Sequence, residues 1–326
     1  PAFGNLEDPR VYADYFIQYN LSASHARDAF ARVAKELLRQ NRVAEAVELL
    51  DGFLTELCAR GVPVLLISGN HDSPERLAFG GRVMGSCGIH IAPVYDGSLA
   101  PLTLSDEHGP VDIYLLPFLK PVQVRRFFPD EDIESYTHAT AAVLRAANVD
   151  TARRNVLVAH QFVTGAVPCE SEELSVGGTD NVAVCVFDDF DYVALGHIHG
   201  PQKVGRETVR YCGTPLKYSF SKVGHKKSVT VVEMGEKGSV GIRTVPLVPR
   251  RDMSELRGTY NTLMLRENYE GKPLRNDYLH ITLRQQSARG LPESDAARLR
   301  QCAHPCRRRH RGRGQGRAEA TAHPVR

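Results

Sequence analysis

Apolar residues recur at two different periods along the chain, and the change of period divides it. Between Ala23 and Gln40, Phe30, Val33, Leu37 and Leu38 follow helical spacing, and a second run from Val43 to Ala59 carries Val47, Leu50, Leu54 and Leu57, with Gly61 just beyond as a stop signal. The two runs predict a helical hairpin. From Val62 to about Leu247 the pattern turns to short runs of Val, Ile and Leu separated by clusters of Gly, Pro, Asn and Asp. Val62–Ser68, Asp112–Leu116, Asn155–Ala159, Tyr192–Leu195, Val209–Cys212, Ser228–Glu233 and Ile242–Val245 read as buried strands, with helical patterning around Glu134–Ala147. A layered α/β sheet is the economical architecture for such an alternation. The runs stop near Val248, and Asp277–Leu283 resumes as one isolated strand, the expected start of a small α+β capping domain. Beyond about Gln285 the periodicity decays, and Arg307–Arg326 holds almost no large apolar residue, which predicts a disordered tail.

With 326 residues, 42% hydrophobic and 24% charged, the chain has enough apolar material for one large domain and a smaller one. No apolar run approaches the roughly 20 residues that span a bilayer, and no basic segment followed by a hydrophobic stretch opens the sequence. A cytoplasmic location without membrane attachment is therefore expected. The seven cysteines, Cys58, Cys87, Cys169, Cys185, Cys212, Cys302 and Cys306, are an odd number without the spacing of a disulfide framework, so reduced thiols are expected. The net charge of +3 is unevenly spread: residues 298–326 hold nine arginines against the single acid Glu319, about +8, which leaves about −5 for residues 1–297. A polyanionic partner would have to be recognised locally at a site, since the bulk field of the folding part does not attract it.

The candidate chemistry is concentrated where strands end. Val62–Ser68 runs into Gly69-Asn70-His71-Asp72, Asn155–Ala159 into His160, and Asp191–Leu195 into Gly196-His197-Ile198-His199. Open α/β sheets bind ligands at the carboxyl ends of their strands, where the chain turns away and leaves polar side chains facing a crevice. Asn70 offers an amide oxygen, and His71 can act as an acid or a charge stabiliser. In an extended segment, His197 and His199 would point to the same side while Ile198 faces the core. Neutral imidazoles with an amide suit manganese, iron or zinc better than magnesium or calcium.

In this order and at these separations, the three motifs resemble those of calcineurin-like metallophosphoesterases. The stretches Ile67–Ser73, Leu115–Phe118, Tyr192–His199 and Tyr211–Pro215 followed by Ser219–Ser221 look like the SbcD family of nuclease subunits within them, and the similarity covers about Ala44 to Thr282. The resemblance implies a layered metallophosphoesterase sandwich and metal-assisted hydrolysis of DNA phosphodiester bonds, as exonuclease and endonuclease, in repair and recombination. It implies Asn70, His160 and His197 as ligands of one metal and His199 as a ligand of another, with Mn2+ the expected ion. His71 is implied as the catalytic histidine and Asp72 as the group that orients it. It also implies an SbcC-like ATPase as partner, DNA as substrate, and a homodimer within a heterotetramer.

The sequence departs from that family at both ends. The family opens with a strand carrying Asp-x-His and a second strand ending in Gly-Asp, and neither precedes Gly69. Asp106-Glu107-His108 follows the Asn-His motif in a polar turn and is read as a decoy. Residues 1–42 read as a helical segment unlike the family, 43–248 as the phosphoesterase core, 249–284 as the start of the capping domain and 285–326 as the arginine-rich tail. A truncated or fused reading frame, a single bound metal instead of two, impaired activity and weak ATPase binding are expected. Another metallophosphoesterase, or a non-catalytic fragment with a partial metal site, is the alternative. Cys302, Cys306 and His310 fit no common zinc spacing, Gly177-Gly178 and Gly213-Thr214-Pro215 read as turns, and Gly165–Asp180 reads as a solvated loop.

Overall fold

The computed structural model describes residues 43–168, 180–272, 274 and 276–283. The readings on Ala23–Gln40, Cys169, Gly177-Gly178, the Cys302, Cys306 and His310 pattern and the arginine tail fall outside the described residues. Two compact units divide the chain, Pro1–Met253 and Ser254–Arg326.

The first unit opens with helix α1 (Val43–Ala59), whose bounds are those read from the periodicity. It delivers Leu49, Phe53, Leu54 and Leu57 to one apolar cluster with Val64, Leu66, Ile89, Val229 and Leu247. Burying a Leu or Phe side chain contributes about 1.5–3 kcal/mol relative to leaving it exposed, so this face holds the helix. Strand β1 (Val64–Ile67) follows, then the short helices α2 (Pro74–Ala78) and α3 (Gly81–Gly85), and then β2 (Ile89–Ala92), which pairs parallel to β1.

The next strands are β3 (Leu102–Asp106) and β4 (Gly109–Leu116), followed by helices α4 (Pro121–Val124) and α5 (Tyr136–Ala146) and then β5 (Arg154–His160). The short strands β6 (Phe162–Val163) and β7 (Asn181–Val182), then β8 (Tyr192–Gly196), β9 (Gln202–Val204) and β10 (Arg206–Tyr211), complete this stretch. A six-stranded sheet in the order β3-β4-β5-β8-β10-β9 forms the centre. Its β4, β5, β8 and β10 run parallel, and β3 and β9 pair antiparallel at the edges. The parallel strands read as nearly continuous apolar runs because both their faces are covered. Ser135 caps α5 by accepting the His138 N–H at 3.1 Å, and Ala139, Ala142, Val143 and Leu144 pack among Leu116, Leu157, Phe187 and Tyr211. The hairpin β11 (Ser228–Met234) and β12 (Val240–Pro246) follows, and Val229 joins it to the cluster under α1.

Strands β2, β3 and β9 were not legible as apolar runs. Strand β3 is mostly exposed beyond Leu102, as an edge strand of polar residues is. Asp106 closes the β3–β4 hairpin and bonds the buried Arg154 guanidinium at 3.0 Å through its Oδ2, so the Asp106-Glu107-His108 stretch is part of a structural ion pair. In the second unit, the isolated strand expected over Asp277–Leu283 is instead β14 (Tyr278–Leu283), paired with β13 (Met253–Gly258), a partner hidden from the sequence by its alternating charges. Backbone groups of a strand need such a partner when they leave water. Among the described residues, no helix is long and apolar enough to cross a membrane.

Candidate metal centre

Strands β1, β5 and β8 each end in a candidate ligand, and sheet register brings two of the ends together. In the parallel β5–β8 ladder His160 stands opposite Gly196, so His197 follows directly beside it. The two imidazoles meet edge to face with ring centroids 5.3 Å apart and planes at 85°. Asn70, in the loop after β1, reaches them from the side, its Oδ1 lying 3.0 Å from His160 Nε2. The Phe118 N–H donates to Ser68 O at 3.1 Å, tying the loop after β1 to the segment after β4. Phe118 and Phe162 wall the two rings, with centroids 6.2 Å from His160 and 6.1 Å from His197.

Gly69 makes this approach possible. A Cβ there would sit 2.8 Å from His160 Cε1 and 3.0 Å from Nε2, closer than carbon atoms pack, so the ring lies directly on the backbone of the Gly69-Asn70 loop. Asp72 shapes the same loop: its Oδ2 accepts the Gly69 N–H at 2.6 Å. Family resemblance implies that Asp72 orients His71; in the structure the carboxylate also closes an i to i+3 turn, a common use of Asp side chains. His71 itself is exposed beside Asn70.

The backbone leading to His199 departs from the extended course expected of it. Strand β8 ends at Gly196, and His197 takes φ +102°, a conformation rare for a side chain larger than hydrogen. The alternation that would aim His197 and His199 to one side is broken there. Ile198 is buried as expected, but His199 Nδ1 contacts the ammonium of the buried Lys222. Among the described residues, no three His, Cys, Asp or Glu side chains gather as a metal-holding group. Two imidazoles and the amide of Asn70 are the convergent set, and their chemistry fits one borderline divalent cation.

Sequence reasoning passes over Lys222 and Lys227, both buried around His199. Lysines almost never bury without partners, but nothing in their spacing marks them. Gly213-Thr214-Pro215 reads from sequence only as a turn. Gly213 has φ +75°, and a Cβ on it would lie 2.7 Å from His199 O and from Pro201 N, so this turn is pressed against the His197–His199 segment.

Residues 34–201 match the family described as calcineurin-like phosphoesterase. The chain is also similar to the SbcD subunit of the SbcCD nuclease from Staphylococcus epidermidis, 31% identical over 243 residues, which covers 73% of this chain and 63% of that protein. Against the SbcD subunit from Staphylococcus saprophyticus subsp. saprophyticus the identity is 32% over 247 residues, 74% of this chain and 64% of the relative. The chain thus spans less than two thirds of the length of these relatives.

Proposed function

The chain belongs to the calcineurin-like phosphoesterase family, and from that premise we propose that it is an SbcD-like nuclease subunit that hydrolyses phosphodiester bonds of DNA with a divalent metal. Membership itself implies metal use; two imidazoles and one amide suit manganese, iron or zinc better than magnesium, and the resemblance to SbcD selects Mn2+ among them. The observation that carries the proposal is the meeting of Asn70 Oδ1 and His160 Nε2 at 3.0 Å beside the His197 ring. The SbcD subunits it resembles belong by name to an SbcCD complex, and an SbcC-type ATPase is the partner proposed here, within a heterotetramer built on a dimer of this subunit.

In this reading Asn70, His160 and His197 would hold one cation, while His199, whose Nδ1 contacts the Lys222 ammonium, stays outside that set. A divalent cation held by these three side chains would supply Lewis-acid polarisation of a phosphate oxygen and would lower the pKa of a water toward neutral pH. The exposed His71, carried by the same loop as Asn70, gives its proton to the leaving 3′ or 5′ oxygen. Asp72 keeps that loop closed through Gly69, so it positions His71 by way of the backbone. Phe118 and Phe162 pack against the two imidazoles, one on each.

A second reading, cation binding without efficient turnover, is favoured by one observation: among the described residues, no carboxylate joins the convergent set. A bridging carboxylate offsets the repulsion between two dications. The 326-residue polypeptide is therefore expected to cleave linear duplex DNA slowly with Mn2+. Joining an SbcD-like segment with Asp-x-His and Gly-Asp ahead of it should raise the rate, and His71→Ala or His197→Ala should abolish the gain. Cleavage that survives chelation, or that ignores His197→Ala in both forms, would sink the proposal.

A further inference from the structure

The buried ammonium of Lys227 lies against the backbone of the segment that carries His197 and His199. Its Nζ donates to the His199 carbonyl at 2.9 Å and to Thr214 Oγ1 at 2.8 Å, and His225 Nδ1 lies 3.3 Å away. The Thr214 N–H donates to the same His199 carbonyl at 3.0 Å. Lys227 is itself fixed by the sheet, since Leu247 N donates to its carbonyl at 2.8 Å, one step beyond the β11–β12 ladder. His225 packs over Gly200, where a Cβ would come within 3.2 Å of its Cε1.

These contacts converge on a backbone that needs holding. His197 at φ +102° occupies a conformation that is strained for a residue with a Cβ. Such a conformation persists only where its surroundings over-determine it. Gly213 supplies close backbone packing on one side, and the His199 carbonyl, two residues on, receives two donors at once, one of them charged. A charge-assisted bond to a carbonyl inside the fold is about twice as strong as a neutral one.

We propose that Lys227 is a positioning residue that fixes the His197–His199 turn through the His199 carbonyl, and so sets the aim of the His197 ring. As a claim about metal affinity it rests on the reading of His197 as a ligand. As a claim about the turn it stands on the contacts alone. Groups that orient a metal-holding histidine typically change affinity 10–100-fold when removed.

The test uses the full chain with Lys227→Met, Lys227→Arg and Thr214→Val, beside His197→Ala. Amide exchange is followed in metal-free protein, and Mn2+ affinity is measured by titration. Lys227→Met should speed exchange of the His197–Gly200 and Gly213–Thr214 amides about tenfold, leave β5 unchanged, and weaken Mn2+ about tenfold. Lys227→Arg, which keeps a charged donor, should recover most of both effects; lost packing alone would not be rescued this way. Thr214→Val removes the lysine's second acceptor and gives the same direction if Lys227→Met fails to fold. Wild-type exchange and wild-type Mn2+ affinity in Lys227→Met or Thr214→Val overturn the proposal, and loss of Mn2+ in His197→Ala would then leave the metal reading standing. Faster exchange in a chain that binds no Mn2+ keeps the positioning role and removes the metal reading.

Discussion

Gly69 and His160 are in such close contact that one added methyl group has a calculable effect. The Cβ of an alanine would press on the ring at 2.8 Å, and the imidazole, a side chain with rotatable bonds, would yield before the backbone does. Gly69→Ala should therefore melt within about 2 °C of the wild type yet bind Mn2+ about tenfold more weakly. An unaltered affinity would show that His160 does not need its place on Gly69. The neighbouring Gln161 makes the opposite case. It is fully buried, and among the described residues neither its Oε1 nor its Nε2 finds a hydrogen-bond partner, while its carbonyl accepts the Tyr211 hydroxyl at 2.7 Å. A buried amide without partners costs about 1–3 kcal/mol, and Gln161→Met, similar in volume, should raise stability by about 1 kcal/mol in denaturant unfolding. Destabilisation would mean that an ordered water satisfies the amide.

The β3–β4 hairpin is tied to β5 by the ion pair of Asp106 and Arg154. Arg154 also donates to the carbonyls of Met234 at 3.2 Å and Gly235 at 3.1 Å, linking the end of β11. The bond from Arg154, with a smaller contribution from the His108 N–H, holds the Asp106 carboxyl below its ordinary range. Its pKa is lower folded than unfolded, so its contribution to stability is complete above the unfolded value and is lost as pH falls through the folded one. Melting temperature followed from neutral pH into the acid range should fall less steeply in Asp106→Asn than in the wild type, and parallel curves would contradict this. The elements also show what sequence could carry. Helix α1 and the strands β4, β5 and β8 were legible because burial on a face or on both faces writes itself as a period or an apolar run. Strands β2, β3 and β9 were not, since edge pairing depends on a neighbour supplied by the fold.

Across the whole chain, the fold class was legible in the alternation of apolar runs and helical patterning, and the family in the resemblance of the three motifs and their flanking stretches. Convergence of Asn70, His71, His160, His197 and His199 was expected from the order of those motifs; the structure shows contacts among Asn70, His160 and His197, set by the β5–β8 register. The path from His197 to His199 was misjudged: extended alternation was assumed where the backbone turns to positive φ. Lys222, Lys227 and Gly213 carried no signal, because long-range contacts to a carbonyl or a ring leave no periodic trace. With about −5 on residues 1–297, attraction of a polyanion falls to local groups, and in the proposed function cation binding by Asn70, His160 and His197 is the first requirement. Calorimetric titration of the purified chain with Mn2+ tests that requirement. The expected result is a saturable site that is lost in His160→Ala and in His197→Ala while both variants keep the wild-type melting temperature. Equal Mn2+ affinity in the wild type and both variants would contradict it.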